Sequence, residues 1–389
     1  MRTEQIISIG LAIFSMLFGA GNLICPLQVG MECGDVTLYG LAGFMLTAVC
    51  LQIAGLIGIL LFDGNYKSFF YRLGTFPGGL ILFTSMMMIG PVLAIPRTVA
   101  LSHIMLAPFL PGFLQQVTTG SSFVFAILFF GLTFLATFRQ NKIVTILGNI
   151  ISPLLLVSLL IIIASGLWNA DAMTPCNYNA LEAFKVNFIR GYETLDLISA
   201  IFFATIVLSL LKRTIGSDYN PRVIATIGLQ SGMVGIFLLG IIYIGLIALG
   251  AYYGLGIGSV NAGELLRYIA FRVLGLYGAF LVGVAVLMAC LSTAIALSAV
   301  VAEYVERTLF RKHISFFMAL VMVLIASIPL ATFGLDKVLA LTARPILYIG
   351  YPVLITLTMC NIAYKVRDFK FVKIPVLIAF IAALISYIW

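Results

Sequence analysis

The stretch "FSMLFGAGNLICP", Phe14 to Pro26, lies inside the first long apolar run of the chain, residues 6–30. Gly19, Gly21 and Asn22 fall near the middle of that run, where a bilayer is driest. Lipid offers no hydrogen bonds, so irregular backbone survives at that depth only inside protein or along a cavity. Glycines let the chain unwind and let another group approach the main chain closely. Unwinding would leave amides of partial positive charge at the start of a second half-helix and free carbonyls at the end of the first. One break would then serve both an anion and a small cation. The competing reading is a packing seam, because small residues also line contacts between membrane helices.

The rest of the composition makes lipid the solvent. Of 389 residues, 62% are hydrophobic and 9% charged, with a mean hydropathy of +1.17. A soluble domain carries about 25% charged residues, and no core of this length hides so much apolar surface. The net charge of +8 does not point to nucleic acid, because the cations are scattered between apolar runs and form no patch. Six cysteines and two histidines form no CxxC or Cys/His cluster, so no zinc or redox motif is legible and no cofactor is expected. Cys33 and Cys176 fall in segments expected outside, as small apolar side chains or as a disulfide. Arg2 and the run behind it resemble a signal peptide, but Ile24 precedes Cys25 and the run is too long, so a retained helix is expected.

Runs of about 20 apolar residues span a bilayer. Eleven are present, at 6–30, 38–62, 78–105, 121–138, 143–168, 191–211, 223–252, 276–302, 314–333, 338–362 and 372–389. With the N-terminus inside, 15 of the 22 Lys and Arg fall in inner segments, 5 in outer ones, and Arg97 and Arg344 within helices. This bias fits the positive-inside rule and puts the C-terminus outside. The expected fold is an all-α polytopic membrane protein of a single transmembrane domain, residues 1–389. Five helices precede the long loop 169–190, so the sixth enters from the opposite side. Residues 5–168 and 191–362 then read as a 5+5 inverted repeat with discontinuous helices 1 and 6, and 372–389 as an extra helix. Secondary transporters are commonly built this way, with a midplane site at the helix breaks.

On this reading the backbone from Phe18 through Gly19, Ala20 and Gly21 to Asn22 takes a substrate carboxylate. Helix 6 shows no glycine between Gly191 and Gly216, so its break is less legible. "SAIFFAT", Ser199 to Thr205, is the expected lining, with Phe202 and Phe203 walling an apolar side-chain pocket. Arg97, Glu193, Asp196 and Arg344 are expected interior charges, because a charged side chain within the membrane faces the bundle. Asp196 reads as a gate partner of Arg97, as a proton site, or as half of an ion pair orienting helices 3 and 6.

"FGAGN" followed by a proline, "GPVLAIPRT" (Gly90–Thr98), "GYETLD" (Gly191–Asp196) and "ACLSTAIALS" (Ala289–Ser298) together resemble the bacterial branched-chain amino acid:cation symporters, in order and over nearly the whole chain. The resemblance implies a leucine-transporter-type fold that imports leucine, isoleucine and valine with sodium or a proton across the bacterial cytoplasmic membrane. It further implies a sodium site between the helix 1 break and helix 8. The hydroxyls of Ser292 and Thr293 would ligate there, with carbonyls near Ser15, Phe18 and Ala289. Alternatively these hydroxyls back-bond to helix carbonyls. Two departures stand out: the family usually has twelve helices, and Ile104 occupies a place where its helix 3 carries a glutamate.

Other classes fit less well. Intramembrane proteolysis needs a second membrane aspartate or a serine with a helical histidine, and the sequence supplies neither. "GLGIGS" (Gly254–Ser259) lacks the lysine of a phosphate loop. A channel would show pore loops or rings of charge. A proton-coupled transporter of another neutral amino acid is the nearest alternative.

Overall fold

The computed structural model describes residues 3–138, 152–215 apart from 171, 174 and 177, 221–254, 262–334 and 347–388. Every regular element among them is helical. Arg344, residues 143–151 and 338–346 of two expected spans, and most of the glycine-rich 254–259 lie outside the described residues.

The first apolar run forms two helices, α1 (Thr3–Leu17) and α2 (Ala20–Cys33), parted at Phe18 and Gly19. The second forms α3 (Thr37–Met45) and α4 (Leu51–Leu60), joined by a wider turn at Leu46–Cys50. A short α5 (Tyr66–Phe70) leads to α6 (Thr75–Met87), α7 (Ala94–Leu106), α8 (Thr119–Phe138) and α9 (Ser152–Trp168). There follow α10 (Ala180–Arg190), α11 (Asp196–Ile215), α12 (Pro221–Tyr253), α13 (Ala262–Tyr304), α14 (Phe316–Thr332), α15 (Tyr348–Arg367) and α16 (Lys373–Ile388). Seven described segments are long and apolar enough to cross a membrane, and four shorter helices are apolar.

Three features depart from the sequence reading. The segment read as the end of a loop, up to residue 190, is helical from Ala180: Asn179 and Glu182 cap α10 reciprocally, at 3.0 and 3.1 Å. Its polar residues, Glu182 and Lys185 on the exposed face and Asn187 buried, hide it from a search for apolar runs. The third run is also interrupted. Pro91 lacks a donor, Gly90 leaves helical geometry (φ −96°, ψ −125°), and a new helix opens at Ala94. Finally, α13 extends back to Ala262 through a kink at Gly275, whose φ of 67° suits only glycine well.

Glycines set the packing around the two broken helices. A Cβ on Gly30 would lie 2.0 Å from the Ile247 carbonyl oxygen, and one on Gly250 2.3 Å from that of Leu27, so α2 and α12 touch backbone to backbone. Gly10 and Gly235 bring α1 against the same helix. Lipid competes for apolar side chains as well as protein does, so such close approach is what fixes helix neighbours. α3 meets α10, and α4 meets α11. The outer faces of α8 and α16 expose Ile127, Leu128, Leu135, Ile378, Ile381 and Ile385, a surface suited to acyl chains. At one end of the bundle Arg72 lies 3.8 Å from the centre of the Tyr364 ring and donates to Asn361 Oδ1 at 3.0 Å. Two segments expected on the same side of the membrane therefore meet.

Candidate functional site

At the end of α1, Phe18 N–H still bonds the Phe14 carbonyl at 2.8 Å, but Gly19 N–H turns to Leu17 at 2.9 Å. Gly19 is extended (φ −109°, ψ −165°), and the Asn22 amide donates to its carbonyl at 3.1 Å as α2 begins. The helical donors of the Ser15 and Met16 carbonyls are thereby removed. Helix α13 replaces them. Ser292 Oγ donates to the Ser15 carbonyl at 2.9 Å and Thr293 Oγ1 to the Met16 carbonyl at 3.1 Å. Ser292 Oγ also lies 2.8 Å from the Ala289 carbonyl and accepts from Ser15 Oγ at 3.2 Å. Gly19 permits this approach, since a Cβ there would stand 2.9 Å from Thr293 Cγ2.

The structure thus brings Ser15, Ala289, Ser292 and Thr293 together. Phe18 contributes no oxygen to these bonds, and its ring stacks on Phe14 at 5.3 Å. Met16 supplies the further carbonyl, and the sequence reading missed it because a backbone oxygen has no residue signature. Counting four residues back from the break would have found it. The cluster is neutral, buried and all oxygen, which suits a hard cation. Unwound carbonyls opposite helical hydroxyls are a known way to hold sodium at the membrane midplane.

On the other side of the break, among the described residues, the amides of Ala20 and Gly21 meet no backbone acceptor. Arg97 lies directly over Gly21: a Cβ there would be 2.2 Å from Nη2 and 2.6 Å from Cζ. Arg97 is 3% exposed, donates through Nη1 to the Glu193 carbonyl at 2.7 Å, and leaves Nε without a partner. It arrives there because helix 3 is broken, which puts Arg97 in the first turn of α7.

The sixth apolar run breaks as well, earlier than the expected lining. Gly191–Thr194 is a tight turn, Leu195 is left-handed (φ 62°, ψ 19°), and α11 then runs unbroken from Asp196 through Ser199–Thr205. A leucine in that conformation is strained by roughly 1–2 kcal/mol, and surrounding structure must hold it. Asp196, 1% exposed, accepts from Asn22 Nδ2 at 2.7 Å on Oδ1 and from Tyr243 Oη at 2.6 Å on Oδ2. Asn22 Nδ2 also meets Tyr243 Oη. Tyr243, on α12, carried no sequence signal beyond being a polar tip in an apolar helix.

The remaining expected residues divide. Ser199 and Phe203 are buried on α11, while the Phe202 ring packs on Phe70 and Tyr66 of α5, with centroids 5.9 and 5.8 Å apart. Arg97 and Asp196 form no ion pair with each other; they reach α2 at the consecutive residues Gly21 and Asn22. Cys33 and Cys176 are both free thiols, Cys33 accepting from Asn187 Nδ2 at 2.9 Å and Cys176 donating to the Glu32 carbonyl at 3.0 Å. Ile104 is buried and its carbonyl takes Arg267 Nη1 at 3.2 Å.

Residues 2–388 match the family model described as branched-chain amino acid transport protein. The branched-chain amino acid permease BraB of Bacillus subtilis is 29% identical over 372 residues, covering 94% of this chain and 81% of that protein. Among solved structures, the chain superposes on Mhp1, a nucleobase-cation-symport-1 family transporter, in a closed conformation with a TM-score of 0.63. Identity there is 15%, over 98% of this chain and 91% of that one. The manganese transporter of Eremococcus coleocola gives a TM-score of 0.61 at 14% identity, over 98% of this chain and 86% of that one. These likenesses establish the transporter fold.

Proposed function

The chain belongs to the branched-chain amino acid transport protein family, and we propose that it imports leucine, isoleucine and valine by sodium symport. It is a multi-pass membrane protein, a transporter and not an enzyme. The observation that carries the sodium assignment is the neutral oxygen cluster formed by Ser15, Met16, Ala289, Ser292 and Thr293. A cation bound there would bridge the helix 1 break to α13 and make the substrate-binding conformation depend on it. The carboxylate of the substrate is assigned to the amides from Gly19 to Asn22, at the positive end of α2. The branched side chain is assigned to apolar surface along α11, with Ser199 and Phe203 near it; Phe202 is the weaker candidate because α5 already occupies its ring. The N-terminus lies on the inner side of the cytoplasmic membrane and the C-terminus on the outer side, a reading supported by the charge bias and by the meeting of Arg72 with α15. Residues 5–168 and 191–362 act as inverted halves around the two breaks.

Purified protein in sealed vesicles tests this. Labelled leucine should accumulate several-fold when sodium is outside and potassium inside, and the accumulation should collapse when the gradient is removed. Absence of uptake for all three substrates would end the transport assignment. Uptake that ignores sodium and follows a proton gradient would move the coupling ion from sodium to the proton.

A further inference from the structure

Two buried charges converge on consecutive residues of α2. From one side Arg97 covers Gly21, where a Cβ would stand 2.2 Å from Nη2, and its Nε is buried without a partner. From the other Asp196 takes the Asn22 side chain at 2.7 Å. Neither side chain belongs to an ion pair among the described residues, where the pairs are Arg190–Glu32, Arg307–Glu303 and Lys370–Asp368. The surroundings of Arg97 are already positive: it sits in the first turn of α7 and above the first turn of α2, two helix N-termini. No carboxylate touches this cation among the described residues, and Asp196 acts on it only across a distance. Asp196 accepts from two neutral donors, Asn22 and Tyr243, each filling one of the several acceptor positions a carboxylate offers, while Arg97 is within electrostatic reach but not in contact. Opposite charges buried near each other but held apart gain less than a contact pair, so each remains complementary to an opposite charge brought between them.

We propose that Arg97 and Asp196 are the two poles of a subsite for the zwitterionic backbone of an α-amino acid. Arg97, with the α2 amides, takes the α-carboxylate, and Asp196, held by Asn22 and Tyr243, takes the α-ammonium. Both charges reach the same break in helix 1, Arg97 at Gly21 and Asp196 at Asn22, as recognition of a ligand carrying both charges on a single centre requires. This differs from a gate, in which Arg97 and Asp196 would bind each other. It rests on the transport reading above and specifies how that site recognises its substrate.

The experiment compares three competitors of leucine uptake in vesicles. Leucine has both charges, leucinol lacks the carboxylate, and 4-methylpentanoate lacks the ammonium. The unaltered protein should reject both single-charge analogues by more than tenfold relative to leucine. Arg97→Gln should weaken leucine at least tenfold while leaving the weak inhibition by leucinol unchanged, and Arg97→Lys should recover part of the loss. Asp196→Asn should weaken leucine at least tenfold and leave 4-methylpentanoate unchanged. Equal weakening of all three ligands would make these residues structural and overturn the proposal. So would an unaltered protein that takes leucinol or 4-methylpentanoate as well as leucine, a result that needs no variant to fold. Leucine uptake with either of those outcomes sinks the subsite alone; no leucine uptake by the unaltered protein sinks the transport reading beneath it.

Discussion

Asn22 Nδ2 on α2 donates to Asp196 Oδ1 at the start of α11 over 2.7 Å, and Tyr243 Oη closes the other carboxylate oxygen at 2.6 Å. Asn22 and Asp196 each stand where an apolar run has been interrupted, so this bond makes the two interruptions one object. Asn22 also offers Oδ1 to the Gly19 amide at 3.2 Å, which ties its own break closed. In a low-dielectric interior such a network is strong when complete and unfavourable when partial.

Tyr243→Phe removes one donor to the Asp196 carboxylate and keeps the ring that meets Phe44 edge-on at 5.3 Å. A hydrogen bond to a charged group contributes about 1.5–3 kcal/mol. Leucine uptake should fall roughly tenfold or more at unchanged abundance in the membrane. Asn22→Ala should cost more, since it also frees the Gly19 amide. Wild-type rates in both variants would reduce the triangle to packing.

Thr293→Val preserves shape and deletes the Oγ1 that meets the Met16 carbonyl at 3.1 Å. The sodium concentration for half-maximal uptake should rise at least about tenfold, as for loss of one oxygen ligand from a small set. Leucine affinity at saturating sodium should change little. A matching loss in both parameters would argue that Thr293 shapes the break and does not ligate.

Gly21→Val should abolish uptake while the protein still reaches the membrane. The first carbon of any side chain meets the Arg97 guanidinium, and the branch would fill the space above the α2 amides. Transport by this variant at the wild-type rate would return the glycines to the role of a packing seam.

Gly250→Leu should lower the melting temperature of the detergent-solubilised protein, because the Leu27 carbonyl stands 2.3 Å from the new Cβ and α2 must move off α12. Overpacking of this kind costs about 1–3 kcal/mol or more. Gly131→Leu is the control: nothing lies within 4 Å of its Cβ position on the exposed face of α8. Equal melting temperatures for the two variants would contradict the backbone contact.

An alkaline-phosphatase reporter fused after Trp389 should be active outside the cytoplasm, as the 15-to-5 distribution of cationic residues requires. Activity of a cytoplasm-only reporter at that position would mean that one apolar run does not cross.

The sequence was most legible where chemistry leaves a trace in residue type. Hydropathy marked the apolar runs, each of which is helical over most of its described residues. Gly19 and Gly21 marked the first break. "LST" at Leu291–Thr293 marked the hydroxyls that meet it. The second break was harder, because a strained Leu195 makes the turn that a glycine would have announced. The interruption before Arg97 was written as Gly90–Pro91, yet a run of apolar residues continued across it and read as one span.

What the sequence by itself determined is that this chain dissolves in lipid and that its first apolar run carries helix-breaking residues at mid-depth. These follow from solvent transfer and backbone valence, which are properties of a residue and its near neighbours. Only the tertiary structure decided what the irregular backbone would face. Met16, Tyr243 and the arrival of Arg97 above Gly21 depend on contacts across long stretches of chain, 76 positions for Gly21–Arg97 and 277 for Met16–Thr293. Those contacts are set by where small residues let helices touch, and lipid supplies no preference among apolar faces that would reveal them in advance.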